Sequence, residues 1–287
     1  MSTSVIFGIS GQDGFYLQER LQREGHHVLG VSRSNGGDVS NRCYVNTLIR
    51  EVRPDYIFHL AATSTTRHEA LFENHETIST GTLNILEAAK AHAPASRLFI
   101  TGSGVQFVNT GLPISEQDAF APLSAYAVSR IHAVYAARYY RSLGLRAYVG
   151  YLFHHESPLR KSGHLCKAIA ELAKRAREGS KEQLTVGDAS VRKEVGFAGD
   201  IAAGIWSLVS QDAVFEAVIG TGMAYSIQDW IEICFSKAGC DWRKHIILRA
   251  DGFVPEYPVL VSDPATIFSL GWRPVVDIHA LAEMMVI

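Results

Sequence analysis

The sequence predicts an α/β fold: a Rossmann-type, doubly wound parallel sheet that lacks one edge strand, followed by a small C-terminal substrate-binding lobe. Three observations predict it. An apolar run, Ser4-Val5-Ile6-Phe7, leads straight into the turn Gly8-Ile9-Ser10-Gly11-Gln12-Asp13-Gly14. Strand-like and helix-like stretches then alternate through the first half of the chain. After the second strand-like stretch, only Ser34-Asn35-Gly36-Gly37 separates Arg33 from Asp38, where a usual fold of this kind inserts a third strand.

The glycine turn sets the frame for the rest. Its spacing, G-x-x-G-x-x-G, falls between a strand and a helical stretch at 15–23. That order suits a dinucleotide diphosphate. Glycines permit the tight turn and a close backbone approach, and the N–H groups opening the helix face the phosphates. A second strand covers 27–31 and ends in Ser32-Arg33 rather than in an acid, which suits NADP over NAD. Residues 45–52 read as a helix that stops ahead of Pro54. Strands follow at 56–60, 97–101 and 147–153, with helices at 77–92 and 125–143 between them. In the first of these helices Ile78, Leu83, Ile85, Leu86 and Ala89 recur near helical spacing. Repeated strand–helix–strand units imply right-handed crossovers and a parallel sheet covered by helices. In the order 3-2-1-4-5-6 the third strand lies at the edge, so its deletion spares the core and exposes the adenine side of a bound dinucleotide.

The second half is less regular. Helices are expected at 164–178 and 197–209 and strands at 183–186 and 214–219. Ser226, with Asp229 three residues on, caps a helix running to Lys237. The proline-containing stretch 254–264 reads as loop or short edge strand. The expected division is a dinucleotide-binding domain of residues 1–155 and 197–222, and a smaller lobe of 156–196 and 223–287. The lobe would close a cleft over the carboxyl ends of the sheet, where open parallel sheets bind ligands.

Composition removes several function classes. The 287 residues are 47% hydrophobic and 20% charged, enough for one large core and a smaller one. A net charge of -2 supplies no electrostatic pull toward nucleic acid or a membrane surface. Cys43, Cys166, Cys234 and Cys240 lack C-x-x-C spacing, so no metal centre or disulfide framework is expected. No basic segment precedes an apolar run at the N-terminus, and a cytoplasmic location is the expectation.

The chemistry points to Tyr126-Ala127-Val128-Ser129-Arg130, which sets a phenol and a cation at i and i+4 on one helix face. Ser103 lies just past the strand ending at Thr101. Together they suit proton exchange by Tyr126, with Ser103 bonding the same substrate oxygen and the cation stabilising developing negative charge. Alone, such a pair is commonly a surface contact; the glycine turn upstream gives it a catalytic reading.

On these stretches the chain resembles the extended short-chain dehydrogenase/reductases that act on nucleotide sugars, above all GDP-mannose 4,6-dehydratases and GDP-4-keto-6-deoxymannose reductases. The resemblance rests on the glycine turn, on Pro54-Asp55-Tyr56-Ile57-Phe58-His59-Leu60-Ala61-Ala62, on Gly81-Thr82-Leu83-Asn84-Ile85-Leu86-Glu87-Ala88 and on Ser124-Ala125-Tyr126-Ala127-Val128-Ser129. Leu152-Phe153-His154-His155-Glu156-Ser157-Pro158 and Leu270-Gly271-Trp272-Arg273-Pro274 extend it beyond the dinucleotide domain. It implies that Gly8, Gly11, Gln12, Asp13 and Gly14 hold the diphosphate of NADP. Arg33 would meet the adenosine 2′-phosphate and Asp38 the adenine, while Leu60, Ala61 and Ala62 line the cofactor. Ser103, Tyr126 and Arg130 would be catalytic, the last two also touching the cofactor. His154, Lys167, Arg192 and Lys193 would contact a GDP-linked sugar. A homodimer joined through the helices at 77–92 and 125–143 is also implied.

Departures from the family pattern decide between reactions. The family's catalytic lysine is Arg130, whose planar fork is not equivalent to an ammonium. Dehydratases carry a carboxylate two residues after the catalytic Ser/Thr to take the C5 proton, and this chain has Val105 there. A substrate-contacting asparagine is His154. A 4-keto reductase needs no such acid and is the first reading. The second is a 4,6-dehydratase that recruits Glu156 or Glu116. The third is a catalytically degenerate nucleotide-binding or partner subunit.

Overall fold

In the computed structural model, which describes residues 2–249 and 257–287, the sheet grows from apolar runs that alternate their faces. The chain order is β1 (Thr3–Phe7), α1 (Gln12–Arg23), β2 (His27–Val31), α2 (Arg42–Val52), β3 (Tyr56–His59), α3 (Leu71–Asn74), α4 (Gly81–His92), β4 (Arg97–Ser103), α5 (Ala125–Ser142) and β5 (Arg146–Leu152). It continues through β6 (His155–Glu156), α6 (Leu165–Arg177), β7 (Leu184–Val186), β8 (Arg192–Glu194), β9 (Gly196–Phe197), α7 (Ala198–Val209) and β10 (Glu216–Ile219). The last elements are β11 (Ala224–Ser226), α8 (Ile227–Ala238), β12 (Ile246–Leu248), β13 (Val259–Leu260), α9 (Ala265–Ser269) and α10 (Ile278–Val286).

Six strands form one parallel sheet in the order β10-β5-β4-β3-β1-β2. Period two along each strand divides the core. Val5, Ile57, Leu98 and Val149 face one side with residues of α2, α4 and α5. Ile6, Phe58, Phe99 and Tyr148 face the other, against α1 and α7. As expected, no strand lies outside β2 among the described residues. A single 3-10 turn, Arg33–Asn35, carries the chain away, and Asn35 folds back to donate from Nδ2 to Gly30 O at 2.9 Å. That bond satisfies one carbonyl the absent neighbour would have used.

A second core joins α6, α8 and α10 through Ile169, Ala173, Trp230, Phe235 and Leu281. Trp230 donates its indole N–H to Cys166 O at 2.9 Å. Small sheets β11-β8-β13, β7-β12 and β6-β9 flank it. The residues placed in the smaller lobe from 223 onward do not all pack there. Ile267 and Trp272 join the core beside the sheet, and Trp272 donates to Asp200 O of α7 at 3.0 Å. A large ring finds more apolar area on α7 than a loop beside the lobe offers.

Three of the boundaries that differ from the sequence expectation bear on the site. Helix α1 opens at Gln12, not 15, because Gly11 is its N-cap and Gly14 is accommodated inside the first turn. The helix expected from 77 is preceded by α3 and a wide-turned π segment, His75–Thr80, before α4 begins. Strand β4 runs two residues further, so Ser103 is its last residue. Residues 254–256 of the proline-containing stretch lie outside the described residues; within the remainder, β13 pairs in parallel with β8. Among the described residues no helix is long and apolar enough to cross a membrane.

Candidate active site

The glycine turn is built by close approach. Gly8 has φ +96°, and a Cβ there would stand 2.6 Å from Ala61 N; at Gly14 it would stand 2.5 Å from Gly8 O. At Gly11 it would meet Gly8 O at 3.3 Å. The turn therefore fits backbone against the start of α1, whose N-cap bears no side-chain hydrogen bond. Its first N–H groups are free to face an anion, the arrangement a dinucleotide diphosphate requires.

Gly8, Gly11, Gln12, Asp13 and Gly14 surround a cleft of ≈ 390 Å³ with Arg33 and Asp38 beyond β2 and Leu60, Ala61 and Ala62 beyond β3. Every residue assigned by sequence to the diphosphate and adenosine thus faces one cavity. On the adenosine side, two of them are already engaged. Asp38 accepts from Ser40 N and Oγ at 2.9 and 2.8 Å, and Arg33 donates to Glu73 Oε1 at 2.9 Å. Hydrogen bonding by Thr63 and Arg33 holds the Glu73 carboxyl below its ordinary range. Glu73, Thr63, Ser64 and Arg160 line this cleft and were missed in the sequence, where nothing marks them.

A larger adjoining cleft of ≈ 940 Å³ receives Ser103, Val105, Tyr126, Arg130 and His154. The N-cap of α5, Ser124 Oγ, accepts from Ala127 N at 3.1 Å and so fixes the turn that carries Tyr126. Arg130 is 2% exposed. Its guanidinium lies 5.0 Å from the Tyr126 ring centroid, and Nη1 donates to Thr101 O at 2.6 Å. The longer fork reaches past the phenol to the strand carbonyl. Burial, then Arg130, pushes His59 beneath it down to about 3, so that ring is neutral.

His154 is held on both ring nitrogens. Nδ1 donates to Glu194 O at 2.9 Å, and Nε2 accepts from Lys193 Nζ at 3.2 Å. Glu156 Oε1 stands 3.2 Å from the same Nε2, out of hydrogen-bond alignment. Burial and then Lys193 push His154 down to about 4. Lys193 therefore lies behind His154 rather than in the cleft. Lys167 Nζ donates to Pro158 O at 2.9 Å and pairs with Glu171 at 3.4 Å, and Arg192 donates to Ala224 O at 3.0 Å. Among the described residues these three cations do not line either cavity, because β8 and α6 turn them into the smaller lobe's own contacts. Neither proposed replacement acid reaches the cleft. Glu156 is fully buried, and Glu116 binds Val218 N at 3.2 Å and the Thr266 hydroxyl on a different face.

A contact absent from the sequence reading joins the two halves of the site. His155 Nε2 lies 2.8 Å from Asp13 Oδ1, and Ser157 Oγ donates to Gln12 Oε1 at 2.7 Å. The segment after β5 is thereby fastened to the glycine turn.

A glycine turn opening α1, with a serine at the end of β4 and a tyrosine–cation pair on α5, defines an enzyme of the short-chain dehydrogenase/reductase type, in its nucleotide-sugar branch. More narrowly, a family profile described as GDP-mannose 4,6 dehydratase matches residues 35–285, and the chain belongs to that family. GDP-mannose 4,6 dehydratase 1 of Arabidopsis thaliana is 29% identical over 321 residues, covering 99% of this chain and 88% of the relative. GDP-mannose 4,6-dehydratase of Vibrio cholerae is 27% identical over 347 residues, covering 99% and 92%. Both alignments exceed the 287 residues of this chain, so the relatives carry segments it lacks. Among solved structures, RMD from Pseudomonas aeruginosa complexed with NADPH superposes with a TM-score of 0.88 at 22% identity, covering 100% and 96% of the two chains. The UDP-glucose 4-epimerase of Thermus thermophilus, in complex with NAD, gives 0.84 at 21%, covering 99% and 97%. These likenesses establish the fold.

Proposed function

We propose that the protein is an NADP(H)-dependent nucleotide-sugar oxidoreductase that reduces the 4-keto group of a GDP-linked 6-deoxyhexose. The carrying observation is that Val105, not a carboxylate, follows Ser103 on a cleft wall that also carries Tyr126. The described acids of that cleft, Asp13, Glu69 and Glu73, come from α1 and the 68–74 segment and not from β4 or α5. Asp13 is taken by His155 and Glu73 by Arg33. Elimination needs a base at C5; reduction needs only an acid at the carbonyl oxygen. The dinucleotide fits the glycine turn, and the solved relatives' bound NADPH and NAD support a nicotinamide coenzyme. Arg33 at the rim favours the phosphorylated form.

Bound there, the coenzyme supplies the hydride. Tyr126 donates its hydroxyl proton to the carbonyl oxygen, so the C4 carbonyl becomes a secondary alcohol. Ser103 donates a hydrogen bond to the same oxygen and orients it. Arg130 stabilises the charge left on the phenol from the ring face. His154 keeps both nitrogens occupied and holds the pocket wall without exchanging a proton. The reading includes a homodimer through the exposed faces of α4 and α5.

Consumption of NADPH, followed by its absorbance with a GDP-4-keto-6-deoxyhexose, tests the reaction. Tyr126→Phe is expected to lower turnover by about 10²–10⁴-fold. Unchanged turnover in that variant would remove the mechanism. Formation of a 4-keto-6-deoxy product from GDP-mannose would favour the dehydratase reading that the relatives' names suggest. Coenzyme binding without turnover on any GDP-, dTDP- or UDP-sugar would favour the degenerate one.

A further inference from the structure

We infer that His155 is a positioning residue for the diphosphate turn: it cancels the charge of Asp13 at the mouth of α1 and so allows that turn to accept a polyanion. The inference deepens the dinucleotide reading and rests on it.

The reason begins with Asp13 itself. A helix start presents partial positive charge, and the free N–H groups there favour phosphate. Asp13 stands in the first turn of α1 and lines both cavities. An uncompensated carboxylate at that place opposes the anion the turn is shaped to hold. His155 answers it from the other half of the molecule, 142 residues away in sequence. Its Nε2 lies 2.8 Å from Asp13 Oδ1 and its Nδ1 lies 2.7 Å from Phe153 O. Both ring nitrogens therefore face acceptors. Nδ1–H satisfies the carbonyl, and one further proton is shared with the carboxylate. While that proton is present, the pair is neutral overall.

The surrounding charges place the proton on the ring. Burial opposes charge on both partners, yet the attraction between them keeps Asp13 below and His155 above its ordinary value. Arg160 also favours the carboxylate and disfavours the imidazolium, Arg130 acts on Asp13 from α5, and His164 stands near enough to feel His155. The neighbouring Glu156 carboxylate is directed to His154 and Arg160. Sign follows directly. The pair is neutral between the lowered aspartate value and the raised histidine value, and it becomes an anion as pH rises through the latter. Coenzyme affinity then falls.

The geometry also makes His155 a link between the segment after β5 and the glycine turn. It belongs to β6, which pairs with β9, while Gln12 beside Asp13 accepts from Ser157. A displacement of the segment behind the sugar cleft therefore reaches the diphosphate turn through one ion pair and two hydrogen bonds, from Ser157 Oγ to Gln12 Oε1 and from Gln12 Nε2 to His155 O.

The test is titration of the full chain with NADPH, and with NADH as a control lacking the 2′-phosphate, by protein and nicotinamide fluorescence from pH 6 to 9.5. Wild type is expected to weaken toward alkaline pH with both coenzymes. His155→Gln, which keeps one donor but no charge, should bind at least about tenfold more weakly at pH 7 and lose the alkaline step. The double variant Asp13→Asn/His155→Gln should regain most of the loss. Asp13→Asn alone should show a flat pH profile, which covers the case in which His155→Gln fails to fold; an alkaline step that persists in Asp13→Asn would overturn the inference. Wild-type affinity in folded His155→Gln, or no recovery in the double variant, would overturn the inference. If wild type and every variant bind neither coenzyme, the dinucleotide reading itself falls, and this inference with it.

Discussion

Under the proposed reading, Glu73 is a small residue-scale contact that bears on coenzyme choice. It holds Arg33 in a pair whose side chains are 65% and 44% exposed. Such pairs contribute about 0–1 kcal/mol, so a 2′-phosphate can displace the carboxylate, at a cost. Glu73→Ala is therefore expected to tighten NADPH binding by about two- to fivefold and leave NADH unaffected, read by fluorescence titration. Equal changes for both coenzymes would place the arginine elsewhere. The same scale shows what sequence can disclose. The glycine turn and Tyr126 were legible because their chemistry lies in local order: strand, turn, helix start, then one helix face. Lys167, Arg192 and Lys193 do not line the described clefts, because a cation's direction depends on what its helix or strand packs against, as with Tyr225 opposite Lys193, and not on its neighbours in sequence. The Asp13–His155 pair left no local signature at all.

At the scale of elements, the caps were the most readable feature. Ser226 Oγ accepts from Asp229 N at 2.9 Å, and Asp229 Oδ2 accepts from Ser226 N at 2.8 Å, closing a reciprocal box at the start of α8. Ser226→Ala is expected to cost about 1 kcal/mol and to lower the thermal midpoint by about 2–4 °C, measured by calorimetry. A loss near zero would mean that packing of Trp230 and Phe235 alone fixes that helix. The π segment at His75–Thr80 was not readable, since one extra residue per turn leaves the apolar spacing of α4 intact. Its consequence is positional: Thr77 reaches the dinucleotide cavity. Widened turns of this kind recur where a helix must present a residue to a site.

At the scale of the whole molecule, an apolar stripe on α5 remains uncovered. Val128, Tyr135 and Tyr139 are 48%, 57% and 60% exposed, spaced to share one face. A two-fold partner would cover them, and sedimentation is expected to give a dimer for the wild type and a monomer for Tyr135→Glu/Tyr139→Glu. A monomeric wild type would end that reading. The sheet order from β2 to β5 was legible, down to the strand that is missing, because alternation of strand and helix leaves few topologies; the place of β10 beside β5 was not. The packing of Trp272 was not, since a lone ring in a loop does not say which core it will enter.

The trimmed rim beside β2, where Asn35 stoppers a carbonyl in place of a whole strand, bears on the catalytic cycle. A coenzyme that is spent in each round must leave and be replaced, whereas one that regains its hydride within the round can stay for many. Among the described residues no strand lies outside β2, so a dinucleotide bound as proposed would meet little obstruction there on leaving. Such a rim suits a visiting coenzyme rather than a resident one.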